Sequence, residues 1–156
     1  MTVAVRKAGL SDLSELVAWG KGSHARSNYA EIAPYNAVIT RQFFKGAMMD
    51  ANHAFFVALN GGKVCGLLVG HCDNYPFSHV RFATDVLFVA DAGGGQLLDA
   101  FVEWARKARV AVVESAPSQT ERFDILADMF ERKGFIRCGG TFRKDLRMQS
   151  MTGVAA

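Results

Sequence analysis

The sequence is poor in the features that mark several protein classes. Its three cysteines, Cys65, Cys72 and Cys138, are odd in number and show no CxxC spacing. Neither a disulfide framework nor a zinc site is expected, and a reducing compartment fits. No apolar run approaches the ~20 residues that cross a bilayer. The opening Met-Thr-Val-Ala-Val-Arg-Lys lacks a basic region followed by an apolar run, so it does not read as a secretory signal. The expectation is a soluble cytoplasmic protein without a membrane partner. Basic charge is not massed either: the net charge is +3 over 156 residues. The longest cluster, Arg106-Lys107-Ala108-Arg109, falls at a predicted helix end, where cations oppose the negative pole of the helix. A nucleic-acid surface therefore has little support. There is no internal repeat and no interdomain linker.

What is present is an ordinary globular balance, half apolar and 21% charged, enough for one hydrophobic core. One domain is expected over 1–146, with a patternless tail over 147–156. A short strand at Val3–Val5 leads to a helix over 11–20, opened by Ser11-Asp12 with Glu15 as in a capping box. Residues 20–36 lack a sustained period and read as a long loop of the kind that lines binding sites. A second helix is expected over 37–50 with Val38, Phe43 and Ala47 on one side. Strands follow at 54–59, 64–70 and 82–89, the first two joined by Asn60-Gly61-Gly62. A helix over 95–109 carries Leu97, Leu98, Phe101, Trp104 and Ala105 at helical spacing. A strand at 110–113, a helix over 119–133 opened by Ser118–Glu121 and stopped by Gly134, and strands at 135–138 and 141–146 complete the order βααβββαβαββ. Phe123, Leu126, Ala127 and Phe130 are the core side of the last helix, and Cys65 and Cys138 read as small buried hydrophobes.

The informative element is strand, glycine run and helix at 82–109. Gly93-Gly94-Gly95 lets backbone approach a ligand, and the following helix N-terminus directs unpaired N–H groups outward, a setting for a pyrophosphate. No GK[ST] follows, so it is not a P-loop, and an antiparallel meander precedes it in place of a first βα unit. His71-Cys72-Asp73 with His79 has no metal-ligand interval, and no metal is expected.

Val89–Leu98 resembles a shortened cofactor loop of the GNAT N-acetyltransferases, where a strand ending in Val runs into Arg-x-x-Gly-x-Gly/Ala and a Leu-Leu helix. Met129–Phe135 is similar to that family's Phe-Tyr-Glu-Lys-x-Gly-Phe, and Cys138–Leu146 to its closing hairpin. The likeness covers about 3–146. Asp85–Val89, Phe101–Ala105 and the His24–Ser27 loop further resemble GNAT proteins of phages and prophages. The resemblance implies an α/β (mixed α+β) GNAT fold, a central mixed, mostly antiparallel sheet of six to seven strands flanked by about four helices. It implies transfer of an acetyl group from acetyl-CoA, as co-substrate, to a primary amine.

In that scheme Phe88 and Val89 meet the pantetheine arm, and Gly93, Gly94, Gly95 and Gln96 hold the pyrophosphate. Backbone donors hold the oxyanion. Asp85 is the first candidate base, sharing strand parity with Leu87 and Val89, and Glu114 the second. Tyr29, Glu31 and Tyr35 would touch the acceptor. Two departures stand out. The loop arginine is missing, which removes a contact worth about 1.5–3 kcal/mol, and Phe130 stands where a proton-donating tyrosine is usual. Both suit the alternative of a catalytically weakened or inactive GNAT-fold binding or regulatory protein. Pairing of the closing hairpin across two copies would give a homodimer.

Overall fold

The computed structural model describes residues 2–116, 122–140 and 142–147. Five strands form one sheet in the order β1-β2-β3-β4-β5. They are β1 Val3–Lys7, β2 His53–Asn60, β3 Lys63–Asn74, β4 Arg81–Ala90 and β5 Val112–Glu114. The first four are antiparallel, and β5 joins β4 in parallel. The helices are α1 Leu13–Ala25, α2 Ala37–Met49, α3 Gly94–Lys107 and α4 Phe123–Arg132, with a 3-10 turn at Leu10–Asp12. The mixed α+β class and the helix number agree with expectation.

The expected closing strands at 135–138 and 141–146 are not formed among the described residues, so five strands replace the anticipated six or seven. Alternating side chains are not sufficient for a strand; a partner edge must also pair with it. Ser118–Glu121, the expected cap of the last helix, lies outside the described residues, as does the tail from 148.

Both faces of the sheet are covered, which is why Ala54-Phe55-Phe56-Val57-Ala58 is an unbroken apolar run rather than an alternating one. On one face Leu13, Leu16 and Val17 of α1 and Phe44 and Ala47 of α2 pack on Phe55, Val57, Leu67 and Val69. On the other, Leu97, Phe101 and Ala105 of α3 pack on Ala54, Phe56, Leu68, Cys72 and Ala83. Each fully buried large side chain contributes roughly 1.5–3 kcal/mol.

Several local expectations change. α1 runs through Gly20 and Gly22 to Ala25, shortening the loop to 26–36. The Tyr35 hydroxyl donates to the Val17 carbonyl at 2.7 Å and lies 3.1 Å from where a Cβ on Gly20 would be. The helix start is closed by Asp12 accepting from the Gly9 N–H at 2.8 Å, with Glu15 instead accepting from the Val64 N–H. The Arg6 guanidinium holds the Asp12 carboxyl down to about 2. On α2, capped by Asn36, Phe44 and Ala47 are buried while Val38 is exposed. On α4, Ala127 and Phe130 are buried, but Phe123 is exposed beside Arg137. Cys138 is exposed and Cys72 is the buried cysteine; Cys138 lies in the segment that forms no strand.

The α3 layer depends on one close approach. A Cβ on Gly70 would stand 2.3 Å from Cε2 of Phe101, whose ring fills that space. Gly70→Ala is expected to destabilise the fold by about 1–3 kcal/mol through overpacking. Gly139→Ala, with nothing within 4 Å of the added carbon, is expected to be nearly neutral. Urea unfolding of the two variants checks the contrast.

Candidate functional site

β4 pairs with β3 along its length but with β5 only over Phe82–Thr84. From Asp85 to Ala90 it has no strand on its β5 side among the described residues. The break coincides with a bulge: Gly70 pairs with Asp85 and Val69 with Leu87, which leaves Val86 unpaired. A bulge adds one residue to one strand and resets which face each side chain takes. Leu87 and Val89, opposite Val69 and Leu67, fall on the α1/α2 face. Asp85, opposite Gly70, falls on the α3 face with Ala83, Phe88 and Ala90. The expected shared parity of Asp85 with Leu87 and Val89 is thus overturned, because simple alternation does not count the extra residue.

Asp85 is mostly buried, and its Oδ1 has no hydrogen-bond partner among the described residues; the same holds for Ser115 Oγ. Burial pushes the Asp85 carboxyl above its ordinary range, and the neighbouring Ser115 and Ala116 offset this only in part. Glu114, in register with Thr84, lies on the opposite face and is exposed. It accepts a short hydrogen bond from the Tyr75 hydroxyl, which raises the tyrosine's pKa. The two candidate carboxylates therefore flank the break from opposite faces and do not form a pair.

At the end of β4 the chain turns through the glycine segment. A second bulge, at Cys65 of β3, frees its carbonyl to accept from the N–H groups of Asp91 and Ala92 at 2.8 and 3.3 Å. Gly93 has φ +78°, and a Cβ there would lie 2.6 Å from Cγ1 of Val3, so only glycine fits. α3 then starts at Gly94, and the N–H groups of its first turn have no acceptor within the helix. Phe88 is half-buried and meets Phe130 edge-on, ring centroids 6.4 Å apart. Phe130 in turn contacts Phe135 at 5.2 Å, where α4 ends on a bond from the Phe135 N–H to the Phe130 carbonyl.

Two cations stand beside this segment that sequence reasoning did not select. Arg26 bridges to Asp91 at 3.1 Å. Lys133 bridges to Asp99 at 2.7 Å, its Cε 3.2 Å from the Cβ position of Gly95. Both lay within quoted segments, Lys133 in Met129–Phe135 and Arg26 in the His24–Ser27 loop, but nothing in the sequence signalled the pairing of Arg26 with a residue 65 positions away. In the 26–36 loop, Arg143 lies over the Tyr29 ring at 4.4 Å, Tyr35 is tied to α1, and Glu31 is exposed. Cavities of about 230 Å³ beside Lys133 and Phe135 and about 470 Å³ beside Phe56 and Trp104 flank α3 rather than the β4 break.

No protein-family profile matches the sequence, and no curated protein matches it as a relative. Solved structures do share its fold. A transcriptional regulator from Bacillus halodurans C-125 superposes with TM-score 0.70 at 22% identity, over 93% of this chain and all of that one. A GNAT-family acetyltransferase from Streptococcus pneumoniae gives 0.69 at 19%, over 92% of each chain. A predicted acetyltransferase from Clostridium acetobutylicum, solved with acetyl-CoA, gives 0.64 at 13%, over 94% and 98%. At such identities the likeness is one of fold, and that fold is the GNAT fold.

The burial of Asp85 has a measurable signature. Because its folded pKa is raised, the native state holds its proton more tightly than the unfolded chain. That contribution is present below the unfolded pKa and is lost as pH rises through the folded one. Asp85→Asn is therefore expected to be more stable than the parent at neutral pH, the gain shrinking toward zero in acid. Urea unfolding across a pH series measures it.

Proposed function

We propose, from the premise of a GNAT-fold chain, that the protein is an N-acetyltransferase moving an acetyl group from acetyl-CoA to a primary amine by direct attack in a ternary complex. One observation carries this reading: β4 loses its β5 partner at a bulge, and the same strand runs straight into the glycine segment that opens α3. A backbone edge with no strand beside it among the described residues and a helix N-terminus are thereby joined, one suited to an amide-bearing arm and the other to phosphates. Phe88 and Val89 would line the arm. Gly93, Gly94, Gly95 and Gln96 would meet the pyrophosphate, with Arg26 and Lys133 supplying the positive charge that the loop itself lacks.

In the reaction the amine nitrogen bonds to the thioester carbon as the carbon–sulfur bond breaks. Asp85 takes the amine proton, a task its raised pKa suits, with Glu114 the second candidate. Phe130 has no proton to offer, so the leaving sulfur is protonated from solvent. Tyr29, Glu31 and Tyr35 sit on the loop assigned to the acceptor. A second reading, a binding or regulatory protein of the same fold with the phage-related likeness noted above, is favoured by Phe130 closing an aromatic contact where a proton donor would stand.

Calorimetric titration separates the two. Acetyl-CoA is expected to bind at micromolar strength and to be lost in Gly94→Trp. The Gly94 Cβ position meets only ordinary contacts, 3.7 Å and beyond, and unchanged urea unfolding of the variant shows that a loss there reads out the site and not the fold. Arg26→Ala and Lys133→Ala are each expected to weaken binding by about tenfold. Absence of binding at millimolar acetyl-CoA would remove the enzyme reading and leave the regulatory one.

A further inference from the structure

Where α2 ends and β2 begins, two histidines face each other across the sheet. His53 of β2 and His71 of β3 are direct cross-strand partners, a pairing that brings Cβ atoms to about 4.5–5.5 Å. Their ring centroids are 5.9 Å apart, the planes at 35°. Both lie on the α1/α2 face, in line with Phe55 and Val69. His71 stands edge-on to Phe82 at 6.5 Å, the inner end of a row of rings that continues through Tyr75 to the exposed Phe77. The spacing within residues 71–79 gives no ligand interval because the partner, His53, lies outside that segment.

One ring of the pair is already oriented. His53 Nδ1 lies 2.8 Å from Asp50 Oδ2. A carboxylate only accepts, so Nδ1 carries the proton and Nε2 keeps its lone pair. Asp50 is itself fixed: its Oδ1 accepts from the Asn52 N–H at 2.9 Å. That bond, with His53, holds the Asp50 carboxyl below its usual range. The His71 imidazole makes no hydrogen bond among the described residues, and both rings are only partly buried. Charge also favours a cation. α2 ends at Met49 with no basic residue in its last turn, which leaves the negative pole of the helix beside Asp50. Arg81 of β4 turns its guanidinium to the other face, 2.9 Å from the Ala108 carbonyl and 3.0 Å from Cys72 Sγ.

We propose that His53 and His71 form a two-histidine seat for a late first-row divalent cation such as Ni2+ or Zn2+, with Asp50 orienting His53 from behind. Imidazole suits these ions, whereas Mg2+ and Ca2+ take oxygen ligands. An imidazole nitrogen sits ~2.0–2.1 Å from bound zinc, so two rings on one ion have centroids at most about 6.5 Å apart. The observed separation falls within that limit. A carboxylate bonded to the far ring nitrogen is the usual support of a metal-bound histidine. No group of three ligating side chains gathers among the described residues, so water fills the remaining positions on the ion. The ion cross-links β2 to β3 and thereby stabilises the folded chain. Nothing in this seat rests on the acetyl-transfer reading.

The test titrates the intact, untagged chain with NiCl2, ZnCl2 and MgCl2 in a calorimeter, near neutral pH, where imidazole is largely uncharged. Ni2+ and Zn2+ are expected to saturate at one ion per chain below millimolar concentration, and Mg2+ to show no saturation. His53→Ala and His71→Ala are each expected to abolish the Ni2+ isotherm, and Asp50→Asn to weaken it by about tenfold. Unchanged melting in metal-free buffer shows that the variants fold; His→Gln at the same position, closer in size, replaces an alanine variant that melts early. Ni2+ is further expected to raise the melting temperature of the parent and of neither histidine variant. Absence of saturable Ni2+ binding at millimolar concentration overturns the proposal. So does Ni2+ binding that survives both histidine substitutions, which places the ion elsewhere, or Mg2+ binding as tight as that of Ni2+.

Discussion

The seating of Phe101 against Gly70 is the contact on which the rest of the molecule's functional face depends. Because β3 offers no side chain at that position, α3 lies close to the sheet, with Phe101 fully buried. A helix held so closely has its first turn fixed at the end of β4, where Gly93 fits against Val3 and Ala58. The glycine segment is therefore a consequence of core packing. At Gly93 the backbone conformation is set by what lies beneath it, in a space too small for any other residue.

The two β-bulges act on the same region from either side. At Cys65 the bulge releases a carbonyl that ties down Asp91 and Ala92. At Val86 it turns Leu87 and Val89 to the α1/α2 face, leaving Asp85 under the α3 layer, and coincides with the loss of β5. Together they anchor the end of β4 while leaving its middle open on one edge. Electrostatics then reinforces the arrangement. Acidic groups beside the glycine segment are each neutralised by a cation from a distant element, so the helix start is not surrounded by uncompensated negative charge. These ion pairs are solvent-exposed and add little stability; their interest lies in where they hold Arg26 and Lys133.

The same break gives the two faces of the sheet different roles. Asp85 sits on the α3 face in a poor environment for charge. The aromatic row and Glu114 occupy the other face in water. The open edge of β4 is thus flanked by the buried Asp85 carboxyl on one side and by exposed rings with Glu114 on the other.

Much of this was legible in the residues alone. The order of the elements through α4, the α3 core stripe, a turn at Asn60-Gly61-Gly62 (Asn60 itself closes β2) and the glycine segment follow from periodicity and backbone preference, which are local properties. The length of α1 was misjudged because residues 20–36 show no sustained period, whereas the helix continues to Ala25 and Gly20 makes room for Tyr35. Of the expected Val38, Phe43 and Ala47, Ala47 is buried, Phe43 is partly buried against the core and Val38 is exposed, while the unselected Phe44 is buried, because a short amphipathic helix can be phased in more than one way. What the sequence by itself determined was a mixed α+β chain with a strand–glycine–helix element. Which face Asp85 takes, which cations reach the glycine segment and whether residues 135–146 pair as strands were decided only by the tertiary structure. Those outcomes depend on bulges, ion pairs and sheet edges, and each needs a partner that is remote along the chain.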